Sequence, residues 1–290
     1  THGYKTKEAT YSKKRDKSST ILRISQAESN GYREHSSYKN KSFFFKHTID
    51  LEKVKLKMNS LYFDSPYAFD PGGLTIESVN ENRTQARDRN VLFDTQESVK
   101  QLQAGLALDW KTAAGTVKSS LYYSNRDFIG LLPFTNGGYV ELNRDFAGLE
   151  LSLNSRFNEF EWMFGASAQS QADDRKRFQN NEGVKGEMAM DQLESFDSYG
   201  MFALGSLNKP KYSLQAGVRF DVHQISMDDN FGLDQQYVDY LSRLSAYSPN
   251  IGFIYNLNKN DELYANYGSS YETPSLSELS ANPDGSGFNN

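Results

Sequence analysis

Residues 212–223 read Tyr212-Ser213-Leu214-Gln215-Ala216-Gly217-Val218-Arg219-Phe220-Asp221-Val222-His223, with an apolar residue at every second position and a small or polar residue between. Successive side chains of a β-strand project to opposite faces, so this stretch predicts a strand with one apolar and one polar face. A helical period fits none of the stronger segments of this kind. The alternation recurs along the chain, most clearly in the ranges 54–62, 102–110, 117–124, 149–156 and 160–169.

Including weaker segments, we predict about twelve strands, each long enough to cross the hydrocarbon layer of a membrane. One segment, 198–206, leaves its register open, because Phe202 and Leu204 compete with Tyr199, Met201 and Ala203 for the apolar face. Short and long connections alternate between the strands. The short ones lie around 50–52, 111–115, 157–159, 208–210 and 258–261, and the long ones cover 31–40, 64–95, 127–140, 172–191 and 228–245.

This alternation of connections favours a transmembrane β-barrel over a soluble all-β domain. Membrane barrels have short turns on one rim and long loops on the other, whereas a soluble meander has no reason to separate them. The mean hydropathy of -0.70 together with 13% aromatic residues fits a barrel whose interior is polar. The net charge of -5 argues against general nucleic-acid binding. The absence of cysteine excludes disulfides and thiolate chemistry.

Several motifs resemble those of one family. The segment Ser270-Tyr271-Glu272-Thr273-Pro274-Ser275-Leu276-Ser277-Glu278-Leu279 follows a strand at 263–268 and resembles a characteristic region of TonB-dependent outer-membrane receptors. Residues 281–289 resemble the next loop of that family, and 30–36 an early barrel loop. Residues 71–75 together with 85–90 resemble the following loop of iron-complex receptors. The matches keep the family's order and cover most of the chain.

The resemblance implies an all-β fold, an antiparallel transmembrane β-barrel of about 22 strands that encloses an N-terminal plug domain. Residues 1–290 would form a partial barrel domain with about half of those strands. No signal peptide, plug or TonB box is recognisable, so we expect a middle fragment of a longer receptor. The implied location is the cell outer membrane, in contact with outer-membrane lipid.

The implied function is that of a receptor and transporter for energy-dependent uptake of a ferric siderophore or similar metal chelate. The TonB energy-transducing complex would act through the missing N-terminal region. We expect no enzyme activity, no cofactor and no nucleic-acid partner. A passive porin-type channel and a soluble all-β interaction domain remain alternatives. TonB-dependent uptake of cobalamin, haem, copper or a glycan would change only the ligand.

No catalytic constellation is present, and the four histidines lack metal-ligand spacing, so we predict neither a catalytic nor a metal site. Guanidinium groups donate paired hydrogen bonds to carboxylate, catecholate and hydroxamate oxygens, which favours an anionic chelate as ligand. Each arginine could instead pair with a nearby acid or a lipid phosphate, and His223 could be a solvated lumen residue. We predict solvated loop acids at 173–174 and 228–229 rather than calcium ligands. The candidate ligand-binding residues are Tyr32, Arg33, His35, Arg87, Arg89, Arg126 and His223.

Overall fold

The computed structural model describes residues 2–231 and 240–274. These residues form twelve β-strands and two short helices. The strands are β1 Lys5–Arg15, β2 Ser18–Ser29, β3 Tyr38–Asp50, β4 Val54–Phe69, β5 Gln96–Thr112, β6 Gly115–Leu131, β7 Tyr139–Phe157, β8 Phe160–Asn181, β9 Val184–Asn208, β10 Tyr212–Asp229, β11 Tyr240–Asn256 and β12 Glu262–Gly268. The helices, α1 Ile76–Glu81 and α2 Asp88–Leu92, lie between β4 and β5. Neither of these two helices is long and apolar enough to cross a membrane.

All twelve strands belong to one antiparallel sheet whose spatial order follows the sequence. In the described part of the chain β1 and β12 are the two edges, so the sheet is an open section of a barrel wall. This confirms the predicted fold class. The segments 275–279 and 281–289, which carry part of the family resemblance, lie outside the described residues.

The pairing register places the apolar residues of neighbouring strands on one face. Leu214 of β10 lies opposite Leu207 of β9 and Phe253 of β11. A shift of one residue would turn a whole strand's apolar set to the other face, so this agreement across the sheet fixes the register. Large apolar side chains on this face are widely exposed, with Met201 at 69%. Such a face suits contact with lipid hydrocarbon.

The register that the sequence left open at 198–206 is decided by pairing with β10. Met201 lies opposite Phe220, and Ala203 lies opposite Val218. Tyr199, Met201 and Ala203 therefore share the apolar face, and Phe202 and Leu204 lie on the polar face.

The long loop predicted at 172–191 is wrong. Strand β8 continues to Asn181, β9 begins at Val184, and only Glu182 and Gly183 connect them. Both residues have positive φ, 52° and 91°, as a two-residue hairpin turn requires. The prediction failed because apolar alternation reports the lipid-facing band, whereas backbone pairing continues above it with polar side chains on both faces. The other predicted long loops are shortened in the same way, since β3, β4, β6, β7, β10 and β11 extend into them.

The short turns are correctly predicted, and all of them lie on one rim. The connections on the other rim hold one another through buried polar groups. Asn180 is fully buried, and its Nδ2 donates to the carbonyls of Phe93 and Leu132, both at 3.0 Å. Its Oδ1 accepts a hydrogen bond of 2.8 Å from the amide of Gly183. One side chain thus joins the β4–β5, β6–β7 and β8–β9 connections.

Candidate functional site

A row of charged residues crosses the polar face of the sheet towards the rim with the long connections. Register pairing places Arg126 opposite Arg144, Arg144 opposite Asp173, and Asp173 opposite Glu194. Arg175 lies two residues beyond Asp173 on the same face of β8. We call these five residues the charged wall.

The charged wall lies beyond the membrane-spanning part of the strands. On β7 the apolar face carries Leu149, Leu151 and Leu153 and reaches a carboxylate at Asp145, next to Arg144. On β9, which runs away from the rim with the long connections, the apolar part of the same face begins at Tyr199, and Asp197 lies two residues nearer that rim. Carboxylates do not face hydrocarbon without a large cost, so they mark the end of the apolar band.

Asp173 accepts the most hydrogen bonds of any residue in the charged wall. Its side chain is buried and accepts two parallel hydrogen bonds from Arg144, Nε to Oδ1 at 2.7 Å and Nη2 to Oδ2 at 2.5 Å. Gln171 Nε2 adds a third hydrogen bond of 3.2 Å. Hydrogen bonding to this carboxylate raises the pKa of Arg144. Asp173 was predicted to be a solvated loop acid, and this is wrong because it lies inside β8 and is fully paired.

Glu194 is also buried, but it is less well compensated. Arg175 Nη2 lies 3.1 Å from its Oε2, yet neither this oxygen nor Arg175 Nε has a hydrogen-bond partner of good geometry. Burial raises the pKa of Glu194, and Arg175 opposes that rise. Asp173 opposite it on the next strand raises the pKa further. The attraction between Arg175 and Glu194 is therefore mainly Coulombic, with little contribution from hydrogen bonding.

Arg126 is the uncommitted cation of the charged wall. It faces Arg144 across the β6–β7 pair, and like charges directly opposite are unfavourable. Arg144 is held by Asp173, whereas Arg126 makes no ion pair with any described residue. Its guanidinium carbon lies 5.6 Å from the Phe128 ring centroid, and its buried Nε has no hydrogen-bond partner. Three arginines and two carboxylates leave the charged wall with one net positive charge.

His223, another predicted ligand residue, lies on the polar face two rows below the charged wall, on the side of the short turns. Its ring stacks 5.6 Å from that of Phe196 and 6.1 Å from that of Tyr271. Its Nδ1 is buried without a partner. Phe196 lies opposite Gln171 in the register, one row from Asp173. The aromatic group of His223 therefore adjoins the charged wall.

Arg33 and His35 have contacts that commit them to the connection between β4 and β5. The guanidinium of Arg33 donates three hydrogen bonds to main-chain carbonyls, those of Gln85 at 2.9 Å, Gly72 at 2.5 Å and Pro71 at 3.2 Å. His35 Nε2 lies 3.0 Å from the carbonyl of Thr95, and its ring packs 4.6 Å from that of Phe69. Both side chains position this connection.

The remaining three candidates lie in the connections. Arg89 Nε donates to the carbonyl of Pro133 at 2.5 Å. Arg87 is the N-cap residue of α2 and is exposed. Tyr32 is 49% exposed and meets the ring of His2 edge-on at 5.2 Å.

The sequence interpretation missed Arg144, Asp173, Arg175 and Glu194 as members of one site. Asp173-Asp174-Arg175-Lys176-Arg177 is charged at every position, so no alternation in the sequence separates the two faces of the strand here. Within the described residues, no group of three or more histidine, aspartate or glutamate side chains could hold a metal ion.

One apolar face, one polar face and a rim of long connections define a transmembrane β-barrel protein. The family model described as TonB dependent receptor-like, beta-barrel, matches residues 42–290. The chain therefore belongs to the TonB-dependent receptor family. Barrels of this family are outer-membrane proteins, so the apolar face is the lipid face and the rim with the long connections is extracellular.

Solved structures share the fold at low sequence identity. The unliganded ferric citrate transporter FecA superposes with a TM-score of 0.72 at 16% identity, covering 91% of this chain and 40% of FecA. The copper transporter OprC gives 0.70 at 15% identity, with 96% and 44% covered. The open form of the ferric-catecholate receptor Fiu from E. coli K12 gives 0.70 at 11% identity, with 94% and 53% covered. The chain thus spans about half the length of these proteins or less.

Proposed function

We propose that the receptor containing this segment takes up an anionic metal chelate of the ferric siderophore type across the outer membrane. Residues 1–290 serve it as a partial barrel domain. Family membership supports receptor-mediated uptake, with the TonB complex as the source of energy. The receptor, rather than this segment of wall alone, carries out transport, because a barrel must close before it can span lipid.

The observation that carries the ligand class is Arg126. An uncommitted guanidinium beside a second arginine repels a bare metal cation and attracts a chelate whose outer atoms are anionic oxygens. The rings of Phe128 and Phe196 border the charged wall and provide apolar surface for the organic part of such a ligand. Arg144 and Arg175 are paired already, so they add positive potential while Arg126 donates directly.

The test is binding and uptake of radiolabelled iron chelates by the whole receptor in iron-starved cells. Arg126→Gln is expected to weaken binding about tenfold, since a hydrogen bond to a charged group is lost. Arg156→Gln is the matched control, because Arg156 lies on the polar face at the short-turn end and pairs with Glu161 at 3.3 Å.

Uptake should also stop when TonB is deleted. Equal binding by the Arg126 and Arg156 variants would refute the proposed site. Uptake that persists without TonB would instead indicate a passive channel. If cobalamin, haem, a copper complex or a glycan bound to the receptor and ferric chelates did not, the ligand would belong to that other class.

A further inference from the structure

The lipid face carries a second cluster of charge, distinct from the charged wall. Register pairing aligns Lys7 with Gln26, Gln26 with Lys41, Lys41 with Asp64 and Asp64 with Lys100, across β1 to β5. Two residues further towards the extracellular rim, Lys5 lies opposite Glu28 and Glu28 lies opposite Lys39. We call this group the lysine patch, which consists of Lys5, Lys7, Lys39, Lys41 and Lys100.

The lysine patch lies immediately above the apolar band. One row closer to the short turns, all side chains on this face but one are large and apolar. Strand pairing aligns that row as Ala9, Ile24, Phe43, Tyr62 and Leu102. Side chains two residues apart on one face of a strand are separated by about 7 Å. The ammonium groups therefore lie at the depth where hydrocarbon ends and lipid head groups begin.

Most of the lysine patch lacks a protein counter-ion. Lys5 is 3.7 Å from Glu28, but Lys7, Lys39, Lys41 and Lys100 make no ion pair within 4.0 Å among the described residues. With five lysines against Glu28, Asp64 and Asp127, the last of which lies opposite Lys100, the patch has two net positive charges.

The same level of the sheet is acidic on the other strands. Pairing continues the row from Lys100 through Asp127, Asn143, Asp174, Leu193 and Asp228. The nearby Lys176 is already paired with Asp174 at 3.1 Å. Lysines without an ion pair at this depth are thus confined to β1, β3 and β5 within the described wall.

We propose that the lysine patch binds the phosphate groups of phosphorylated lipids in the outer leaflet. The depth of the patch and its net positive charge suit a lipid phosphate, and the apolar row below the patch suits the acyl chains of the same lipid. Alternate strands lie about 10 Å apart, so Lys7, Lys41 and Lys100 can contact separate phosphates. Phosphate is the anionic group available at this depth, and basic residues near an anionic lipid surface each strengthen attachment. The proposal is independent of the transported ligand.

The test compares lipid retention by the whole receptor, extracted in mild detergent and studied by native mass spectrometry. The probe is bis-phosphorylated lipid A, and the same lipid after removal of its phosphates is the ligand control. Lys7→Gln, Lys41→Gln and Lys100→Gln are expected to lower retention about fivefold each and about a hundredfold together. Lys176→Gln removes an equal charge at a similar level where an acid already pairs with it, so retention should stay within about twofold of wild type.

Retained heat-modifiable migration of the triple variant on gels would show that its barrel is folded. Equal retention of the two lipids by wild type, or equal losses in the Lys41 and Lys176 variants, would overturn the proposal. Chelate binding by the triple variant distinguishes a failure of the lipid site from a failure of the proposed function. Because the lysines face lipid, the folded triple variant should bind chelate like wild type.

Discussion

Replacing Asn180 by alanine should loosen the extracellular rim without affecting the lipid-facing wall. The Asn180 side chain makes three hydrogen bonds to three different connections and is 0% exposed. Alanine would leave the carbonyl of Phe93 and the amide of Gly183 without a partner, whereas the carbonyl of Leu132 keeps a hydrogen bond of 2.8 Å from the amide of Phe134.

The magnitude follows from the two groups that lose their partner. A buried polar group without a partner costs about 1 to 3 kcal/mol. The connections lie at the barrel rim, where water can enter, so the lower figure applies and the sum is about 2 kcal/mol. Local opening of the rim should then become about 30-fold more frequent.

The assay is hydrogen–deuterium exchange measured by mass spectrometry on the whole receptor. Peptides covering 93–95, 132–138 and 180–184 should exchange about 30-fold faster in Asn180→Ala, and peptides of the apolar band should be unchanged. Asn181→Ala is the matched control, since Asn181 is exposed on the opposite face of the same strand. Exchange within about twofold of wild type in all three rim peptides would refute the reasoning.

Three further predictions concern the polar groups of the rim and charged wall. Arg33→Ala should speed exchange throughout 70–95, because three hydrogen bonds to that connection are lost; unchanged exchange would contradict its positioning role. Asp173→Asn should lower the free energy of unfolding in urea by about 3 kcal/mol, since Arg144 loses its buried partner. The half-exposed Asp174→Asn should cost less than about 1 kcal/mol, and equal losses would contradict this. Burial raises the folded-state pKa of Glu194 above 4.5, so the folded form holds its proton longer and stability falls as pH rises above that value. Glu194→Gln should flatten that dependence in urea unfolding measured over a pH series.

The lipid-facing band was predictable because one physical rule governs it. Every second residue between Tyr212 and Val222 must be apolar if that face meets hydrocarbon. This requirement acts on each strand separately, so it can be recognised in a short stretch of sequence. The short turns followed from the ends of those alternations. Above the lipid no such demand exists, so the continuation of β8 and β9 to residues 181 and 184 left no apolar pattern to detect.

The candidate site was less predictable, because its members come from separate strands. Arg126 and His223 were found by their position on a polar face near the rim, and both lie on that face. Arg33 and His35 have a suitable composition for ligand binding, but their hydrogen bonds to Gly72 and Thr95 assign them to the scaffold. Residue type shows which chemistry is available, and only the contacts show whether it is already used.

By itself, the sequence determined that this protein is a membrane barrel wall of the TonB-dependent receptor family, with its apolar face, the short turns of one rim and the approximate number of strands in the described residues. Only the tertiary structure decided the register of 198–206, the length of β8 and β9, and the assembly of Arg126, Arg144, Asp173 and Glu194 into one row. The physical reason is the range of the interactions. Contact with lipid constrains each strand separately, whereas strand pairing and buried ion pairs depend on residues far apart in the chain.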